Sequence, residues 1–265
     1  MKKILVIVGL LLTICAIQAQ TKVYIGARGG LNIPKLTASG DNPMSKGYSS
    51  RLAGNGGIFA EFRFTELFSL QPMIEYTQQG GLRKGMQAIP AAMMPGDVQQ
   101  VPAMVGEEYL YADFKSETTF DYIMVPILAK FGRNLNNMPV RLYIDAGPFV
   151  SFLLDAKQIT SGTSLLYVDP AGDMTMDYLL GSLTGTSAQG PQSMKAKRTI
   201  TDDVYRVNYG LSANIGVSYE IIPRHNILLE VGGNYSFRKL QKDSENGENR
   251  IGAATVVVGY AYKLR

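Results

Sequence analysis

The stretch YRVNYGLSANIGVSYE (Tyr205–Glu220) alternates two kinds of residue over its whole length. Tyr205, Val207 and every second residue as far as Tyr219 are apolar or aromatic, whereas the residues between them are polar, charged or glycine. A period of two places these sets on opposite faces of a β-strand, and a helix would not produce it. Strands of soluble sheets usually have about 5–6 residues, and a tilted strand crosses a bilayer with about 9–11. The stretch therefore predicts a strand long enough to span a membrane.

Seven further segments of the chain are also predicted to be strands, and six of them show the same alternation. In Thr118–Phe131 both faces are apolar, and Lys130 alone indicates which face is the polar one. Together with Tyr205–Glu220 they predict an all-β fold, an eight-stranded antiparallel up-and-down transmembrane β-barrel. The seven segments are Lys22–Ile33, Gly54–Phe64, Phe68–Gln79, Thr118–Phe131, Val140–Leu154, Asn226–Arg238 and Arg250–Leu264.

The connections between the predicted strands alternate between short and long. Three are short turns, at Thr65–Leu67, Arg133–Pro139 and Ile221–His225. Because neighbouring strands are antiparallel, the short turns share one end of the barrel and the long connections share the other. Outer-membrane barrels have this asymmetry, with short periplasmic turns and long outer loops. The long connections are Pro34–Ala53, Gly81–Lys115, Asp155–Asp203 and Lys239–Glu248.

The polar face of the strands predicts the contents of the barrel interior. It is rich in Gly, Ser and Asn and carries charges of both signs, while tyrosines lie near strand ends on the apolar face, as in a membrane-interface girdle. We therefore predict lipid outside and charges inside; the alternative, a soluble ligand-binding barrel, would place the apolar face inside. The interior charges predict a salt-bridged filling, because an eight-stranded barrel is only wide enough for side chains to fill it, and a narrow channel is the alternative. The predicted lumen charges are Arg28, Glu61, Arg63, Glu75, Lys130, Arg141, Asp145, Arg206, Glu220, Glu230 and Arg238, with Lys22 and Lys263 on the same face.

The N-terminus has the pattern of a secretory signal peptide. Lys2 and Lys3 precede an apolar run, and small residues follow it, which predicts cleavage between Ala19 and Gln20. We thus expect residues 1–19 to be the signal peptide and residues 20–265 to be an exported barrel domain of the outer membrane. The single cysteine, Cys15, lies in the predicted signal peptide, so the mature chain would contain no disulfide.

The strand segments resemble a known family, the small outer-membrane β-barrels of Bacteroidota that include the PorT type. The residues that carry the resemblance are YIGARGGLNIPKL (Tyr24–Leu36), FSLQPMIEYTQQGG (Phe68–Gly81), YIMVPILAKFG (Tyr122–Gly132) and LYIDAGPFVSFLL (Leu142–Leu154). The resemblance implies an eight-stranded barrel in the outer membrane and, for the PorT type, an accessory role in a secretion or maturation machinery. Met124 departs from the acidic residue that is common there, and the chain ends in Leu264-Arg265 rather than on an aromatic residue.

The composition favours a non-enzymatic protein. The chain of 265 residues has one His and one Cys, which argues against a Cys/His metal site and against most His-based catalysis. His225 lies in a short turn without an obvious partner, so no catalytic, cofactor or metal residue is predicted. With a net charge of only +4 and no basic patch, we expect outer-membrane lipid as a partner and no nucleic acid.

A segment rich in Met and Pro (Gln87–Val105) stands out among the long connections. Met93, Met94 and Met104 are adaptable contact residues, so the segment is predicted either to bind a protein partner or to fold over the barrel mouth. We predict a structural or surface-interaction role for the barrel, set by its outer loops. A partner at the periplasmic turns would indicate the PorT-like accessory role.

Overall fold

A computed structural model of the protein describes residues 21–93, 108–136, 138–184, 190–243 and 247–265. The predicted signal peptide, with its cleavage site at Ala19 and Gln20, lies outside the described residues, as do Met94 and Met104. Within the described ranges, no helix is both long and apolar enough to cross a bilayer.

Eight long strands pair into a closed antiparallel ring, which confirms the predicted fold. The strands are β1 (Lys22–Ala38), β2 (Ala53–Arg63), β3 (Phe68–Pro90), β4 (Tyr109–Asn134), β5 (Val140–Ser161), β9 (Val207–Ile222), β10 (His225–Ser236) and β11 (Asn249–Lys263). The order along the ring is β4-β3-β2-β1-β11-β10-β9-β5, and β4 pairs with β5 to close it. The predicted contact between the first and last strands is present, because β1 pairs with β11 from Tyr24↔Lys263 to Ala38↔Asn249.

The connections differ in length at the two ends of the ring, which we call the short-turn end and the long-loop end. At the short-turn end, β9 and β10 are joined by two residues, and Arg224 adopts a left-handed conformation with φ of 76°. In its described residues, the connection at the long-loop end between β5 and β9 holds three short strands and one helix. These elements are β6 (Thr163–Ser164), α1 (Met176–Thr184), β7 (Gln192–Ser193) and β8 (Ala196–Thr199).

Three strands continue well beyond the predicted boundaries at the long-loop end. The sequence predicted a long loop over Gly81–Lys115, but β3 and β4 remain paired as far as Pro90↔Tyr109. The prediction was wrong because Leu110 and Ala112 of this part of the hairpin pack against the connection that follows β5 rather than facing lipid, and charged residues interrupt the alternation on β3. At 23 residues, β3 has about twice the 9–11 residues that a bilayer requires, so the outer half of the hairpin projects beyond the membrane.

Side chains alternate between the outer wall and the interior as the parity predicts. In β9, Leu211 and Ile215 are exposed on the outer wall, while Ser212 and Asn214 are buried. The same parity exposes Ile58, Ile74, Leu142, Ile144, Leu229, Val231, Val256 and Val258. This apolar band surrounds a polar interior, the reverse of the arrangement in a soluble ligand-binding barrel.

Candidate functional site

Three cations and four carboxylates meet inside the barrel, and we call them the lumen cluster. They come from six of the eight strands, and each lies on the polar face of its strand. All are buried except Arg63, whose side chain is 11% exposed. The members are Arg28, Glu61, Arg63, Glu75, Lys130, Asp145 and Glu230.

Arg28 connects two strands on opposite sides of its own. Its Nε and Nη2 donate to Glu75 Oε2 at 3.1 and 2.7 Å, and its Nη1 donates to Glu230 Oε2. Glu75 lies on β3 and Glu230 on β10, each two strands away from β1 in the ring. The guanidinium therefore crosses the interior and joins β3 to β10.

Lys130 lies at the centre of the lumen cluster. Its ammonium nitrogen donates to Gln71 Oε1 at 2.6 Å. The same nitrogen is 3.6 Å from Glu230, 3.7 Å from Glu61 and 3.9 Å from Asp145. Lys130 therefore lies close to three of the four carboxylates of the cluster.

Tyr143 is a member of this network that sequence reasoning missed. Its ring centroid lies 4.0 Å from Lys130 Nζ, and its hydroxyl donates to Glu230 Oε1 at 2.8 Å. Gly216 on the neighbouring strand leaves room for the ring, since a Cβ there would lie 2.4 Å from it. Tyr143 has the same parity as Asp145 on β5, so the alternation was the signal that could have identified it.

Neutral polar side chains complete the hydrogen bonds of two carboxylates. Asn214 donates to Asp145 Oδ1 at 2.7 Å, and Ser69 donates to Glu61 Oε1 at 2.8 Å. Within the part of the chain that the structure describes, Asp145 Oδ2 has no hydrogen-bond partner. Buried polar groups are normally satisfied, so Asp145 is the least well compensated carboxylate of the cluster.

Arg141 lies in the interior, where none of its guanidinium nitrogens has a hydrogen-bond partner among the described residues. It is buried near the short-turn end, where a polar cavity of about 180 Å³ opens. Arg63 lines the same cavity and donates to Glu61 Oε1 through Nε and Nη2, at 3.2 and 3.1 Å. We call this space the mouth cavity.

Three other predicted lumen charges lie at the ends of strands. Arg206 is exposed and pairs with Asp202, and Arg238 donates to the carbonyl of Val207. Both lie outside the strands, which begin at Val207 and end at Ser236, so strand parity no longer directs their side chains. Glu220 is exposed at the short-turn end, where it lines the mouth cavity.

His225 has a partner that the sequence did not reveal. Its Nδ1 lies 2.5 Å from the hydroxyl of Tyr260 on β11, and its ring also contacts Tyr262. Across the described ranges, no group of three or more His, Cys, Asp or Glu side chains is placed to hold a metal ion. His225 is thus part of an aromatic contact at the short-turn end.

An apolar cluster, which we call the plug, fills the interior near the long-loop end. Phe120 and Tyr122 are buried there, and Val204 and Leu240 reach them from the connections beyond β5 and β10. The backbones of the two connections are joined by a hydrogen bond from Tyr205 N to Leu240 O of 2.8 Å. The plug therefore separates the lumen cluster from the long-loop end of the barrel.

Beyond the plug, the extended hairpin of β3 and β4 and residues 162–182 form a cap with a core of its own. Leu110 and Met176 are almost fully buried in this core, together with Leu166 and Val168. Of the three methionines of the predicted contact segment, only Met93 lies in a described element, a short 3-10 helix that follows β3.

One loop of the cap is organised around Asp169. Its carboxylate accepts backbone hydrogen bonds from Met174 at 2.7 Å and Asp173 at 3.1 Å. These two bonds hold the pKa of the Asp169 carboxyl below its ordinary value. The loop leads directly into α1, so the charged form of Asp169 helps to position that helix.

A comparison with protein families identifies the family of the chain. Residues 18–242 match the family described as outer membrane protein beta-barrel domain. The chain belongs to this family. Its membership, together with the exposed apolar band, places the barrel in the outer membrane with lipid around it. In outer-membrane barrels generally, the short turns face the periplasm and the long loops face outward.

Several solved structures are similar to this chain. Neisserial surface protein A is 15% identical, with 91% of this chain and 97% of that chain covered and a TM-score of 0.39. Ail of Yersinia pestis is 12% identical, with 91% and 99% covered and a TM-score of 0.37. A major outer membrane protein from Thermus thermophilus is 11% identical, with 92% and 100% covered and a TM-score of 0.42. A search of curated proteins finds no match.

Proposed function

We propose that the protein is a non-enzymatic outer-membrane barrel whose extracellular cap makes contacts at the cell surface, while its charged interior has a structural role. The observation that carries this proposal is the cap. It has a buried core around Leu110 and Met176, and it holds Tyr178 of α1 at the surface with 69% of its area exposed. A rigid element that exposes an aromatic side chain is suited to binding a partner, since aromatic residues are enriched where binding energy concentrates.

The interior supports a structural rather than a conducting role. An eight-stranded barrel is about wide enough for side chains to fill it, and the lumen cluster spans it through Arg28 and Lys130. Between the cluster and the plug, a cavity of only about 10 Å³ lies beside Tyr122 and Ser151. The purified protein should therefore give no discrete conductance steps in planar bilayers, and regular steps would favour the narrow channel instead.

The proposed role of the cap is tested by single-cysteine labelling followed by complementation. The only cysteine of the chain is Cys15, so a mature protein that begins at Gln20 has none. Tyr178→Cys should react with a membrane-impermeant maleimide in intact cells, while Leu67→Cys in a short turn should react only after the outer membrane is permeabilised. Labelling of both sites, or of neither, in intact cells would contradict the proposed orientation.

The complementation arm separates a surface-contact role from a structural one. A strain that lacks the protein is supplied with the full chain, with Tyr178→Ser, or with a variant in which a short linker replaces residues 163–195. If the cap makes the contact, both variants should insert normally but fail to restore surface adhesion. Full restoration by the linker variant would refute the role of the cap.

The proposal includes removal of residues 1–19, which leaves residues 20–265 as the outer-membrane domain. It rests on the basic start, the apolar run and the small residues before Gln20. Mass spectrometry of the protein purified from outer membranes should give a chain that begins at Gln20. Retention of Met1 would contradict it.

A second candidate, an accessory role of the PorT type, is favoured by the short turns. Leu67 and Met138 lie in two of these turns, and each exposes 60% of its surface. Photo-crosslinking residues at positions 67 and 138 would capture a periplasmic protein in this case, whereas a crosslinker at 178 would not. The resemblance to the small Bacteroidota barrels, which include the PorT type, supports this candidate.

A further inference from the structure

The mouth cavity contains a buried guanidinium without a partner. Arg141 is 4% exposed, and its Nε, Nη1 and Nη2 have no hydrogen-bond partner among the residues that the structure describes. A guanidinium carries five N–H donors in a planar fork. Buried donors are rarely left unsatisfied, so the site calls for an acceptor that the described residues do not supply.

The surroundings of Arg141 are cationic. Arg63, Lys22 and Lys263 line the same cavity, and Glu220 is the carboxylate among the lining residues. Lys22 pairs with Glu66 outside the cavity, with an N–O distance of 2.5 Å, and Arg63 is held by Glu61. The two guanidinium groups therefore share one cavity, and Arg141 has no carboxylate of its own there.

The position of the Arg141 side chain depends on a glycine of the neighbouring strand. Gly132 on the neighbouring strand makes room for it, because a Cβ at that position would lie 2.6 Å from Arg141 Nε. The cavity has a volume of about 180 Å³, the share of roughly six waters at about 30 Å³ each. This space accommodates a tetrahedral oxyanion.

We propose that the mouth cavity is a phosphate-binding site, in which the Arg141 guanidinium donates to phosphate oxygens and Arg63, Lys22 and Lys263 supply further positive charge. Guanidinium forks match phosphate oxygens in a bidentate manner. Four lining cations suit a doubly charged phosphate better than a singly charged carboxylate. The phosphate comes either from free inorganic phosphate or from a phospholipid headgroup, because the cavity opens at the periplasmic end of the barrel.

The test measures ligand-dependent stability of the barrel refolded in detergent micelles. Inorganic phosphate should raise the thermal unfolding temperature of the wild-type barrel in a saturable manner, while chloride at equal ionic strength should not. Arg141→Gln should weaken the apparent affinity for phosphate about tenfold or more, because charge-assisted hydrogen bonds are lost. Arg206→Gln, at the other end of the barrel, is the matched control and should bind as the wild type does.

Two further arms keep the result interpretable. Folding of each variant is checked by its faster migration on unheated gels. Arg141→Lys retains the positive charge but loses the planar guanidinium donors, so it should bind phosphate with intermediate affinity. Glycerophosphoethanolamine binding as tightly as inorganic phosphate would indicate a headgroup as the source, whereas binding of inorganic phosphate alone would indicate the free ion. The proposal is overturned if phosphate acts no differently from chloride, if acetate binds as tightly as phosphate, or if folded Arg141→Gln retains wild-type affinity.

Discussion

Lys130→Met should destabilise the barrel more than any other single removal of an interior charge. The substitution keeps an unbranched side chain but takes the ammonium away from three carboxylates that lie 3.6–3.9 Å from it. At an effective dielectric constant of about 20, one such pair attracts by about 4 kcal/mol. The cost of burying ions offsets much of this attraction, so the expected loss is about 3–5 kcal/mol, as for other buried pairs that lose one partner.

The assay is urea unfolding in lipid vesicles, followed by the band shift on unheated gels because the chain has no tryptophan. A loss of this size should lower the urea midpoint by about 1 M or more. Lys157→Met is the matched control, since Lys157 is half-exposed and pairs only with Asp155, and its midpoint should not change. The double variant Lys130→Met with Glu230→Gln should lose less than the sum of the two single losses. A Lys130→Met midpoint equal to that of the control would refute the salt-bridged interior.

Three further predictions address the wall, the network and the cap. Leu211→Arg should make the free energy of insertion less favourable by about 2–4 kcal/mol, because it places a charge in lipid. The inserted fraction in vesicles measures this effect, and the control Tyr178→Arg on the cap should insert normally. Equal insertion of the two variants would contradict the lipid-facing parity. Tyr143→Phe should lower the free energy of unfolding by about 1.5–3 kcal/mol, because it removes a hydrogen bond to the Glu230 carboxylate. The same urea assay measures this loss, and an unchanged midpoint would mean that the bond does not form. The lowered pKa of Asp169 means that its contribution to cap stability is present above about pH 4 and lost as pH falls through the folded pKa. Asp169→Asn should therefore increase protease cleavage of the cap at pH 7, and the difference from wild type should shrink below about pH 4; a constant difference would refute this role.

The alternation of residues predicted the eight strands and their faces, because a strand that crosses the bilayer must direct apolar side chains to the lipid and polar ones to the interior. Ile215 must face lipid and Asn214 must not, and this requirement is visible in a single sequence. The same requirement ends where the membrane ends. The hairpin beyond Gly80 continues to pair, but its apolar residues pack into the cap and form no lipid-facing row, so the sequence suggested a loop there. Arg206 and Arg238 were misplaced for a related reason, since strand parity does not extend past Val207 and Ser236.

The composition of the interior was predictable, but most of its contacts were not. Closure of the first strand against the last places Arg28 near the strand of Glu230, but the register that joins them is not visible in the sequence. The position of Lys130 among three carboxylates depends on the stagger of β2, β5 and β10, which no local pattern encodes. The plug was missed because Phe120 and Tyr122 lie in a segment that is apolar on both faces. The absence of a hydrogen-bond partner for Arg141 among the described residues emerges only when all neighbouring strands are in place.

The most direct test of the account is a depth-resolved probe scan along β9. Single cysteines at consecutive positions 211–215 are labelled with a fluorophore in the refolded barrel, and a quencher confined to the lipid phase is added. Positions 211, 213 and 215 should be quenched and positions 212 and 214 should not, since the first set is exposed on the outer wall and the second is buried in the interior. Quenching of the even positions, or of neither set, would contradict a membrane-spanning barrel with its charges inside.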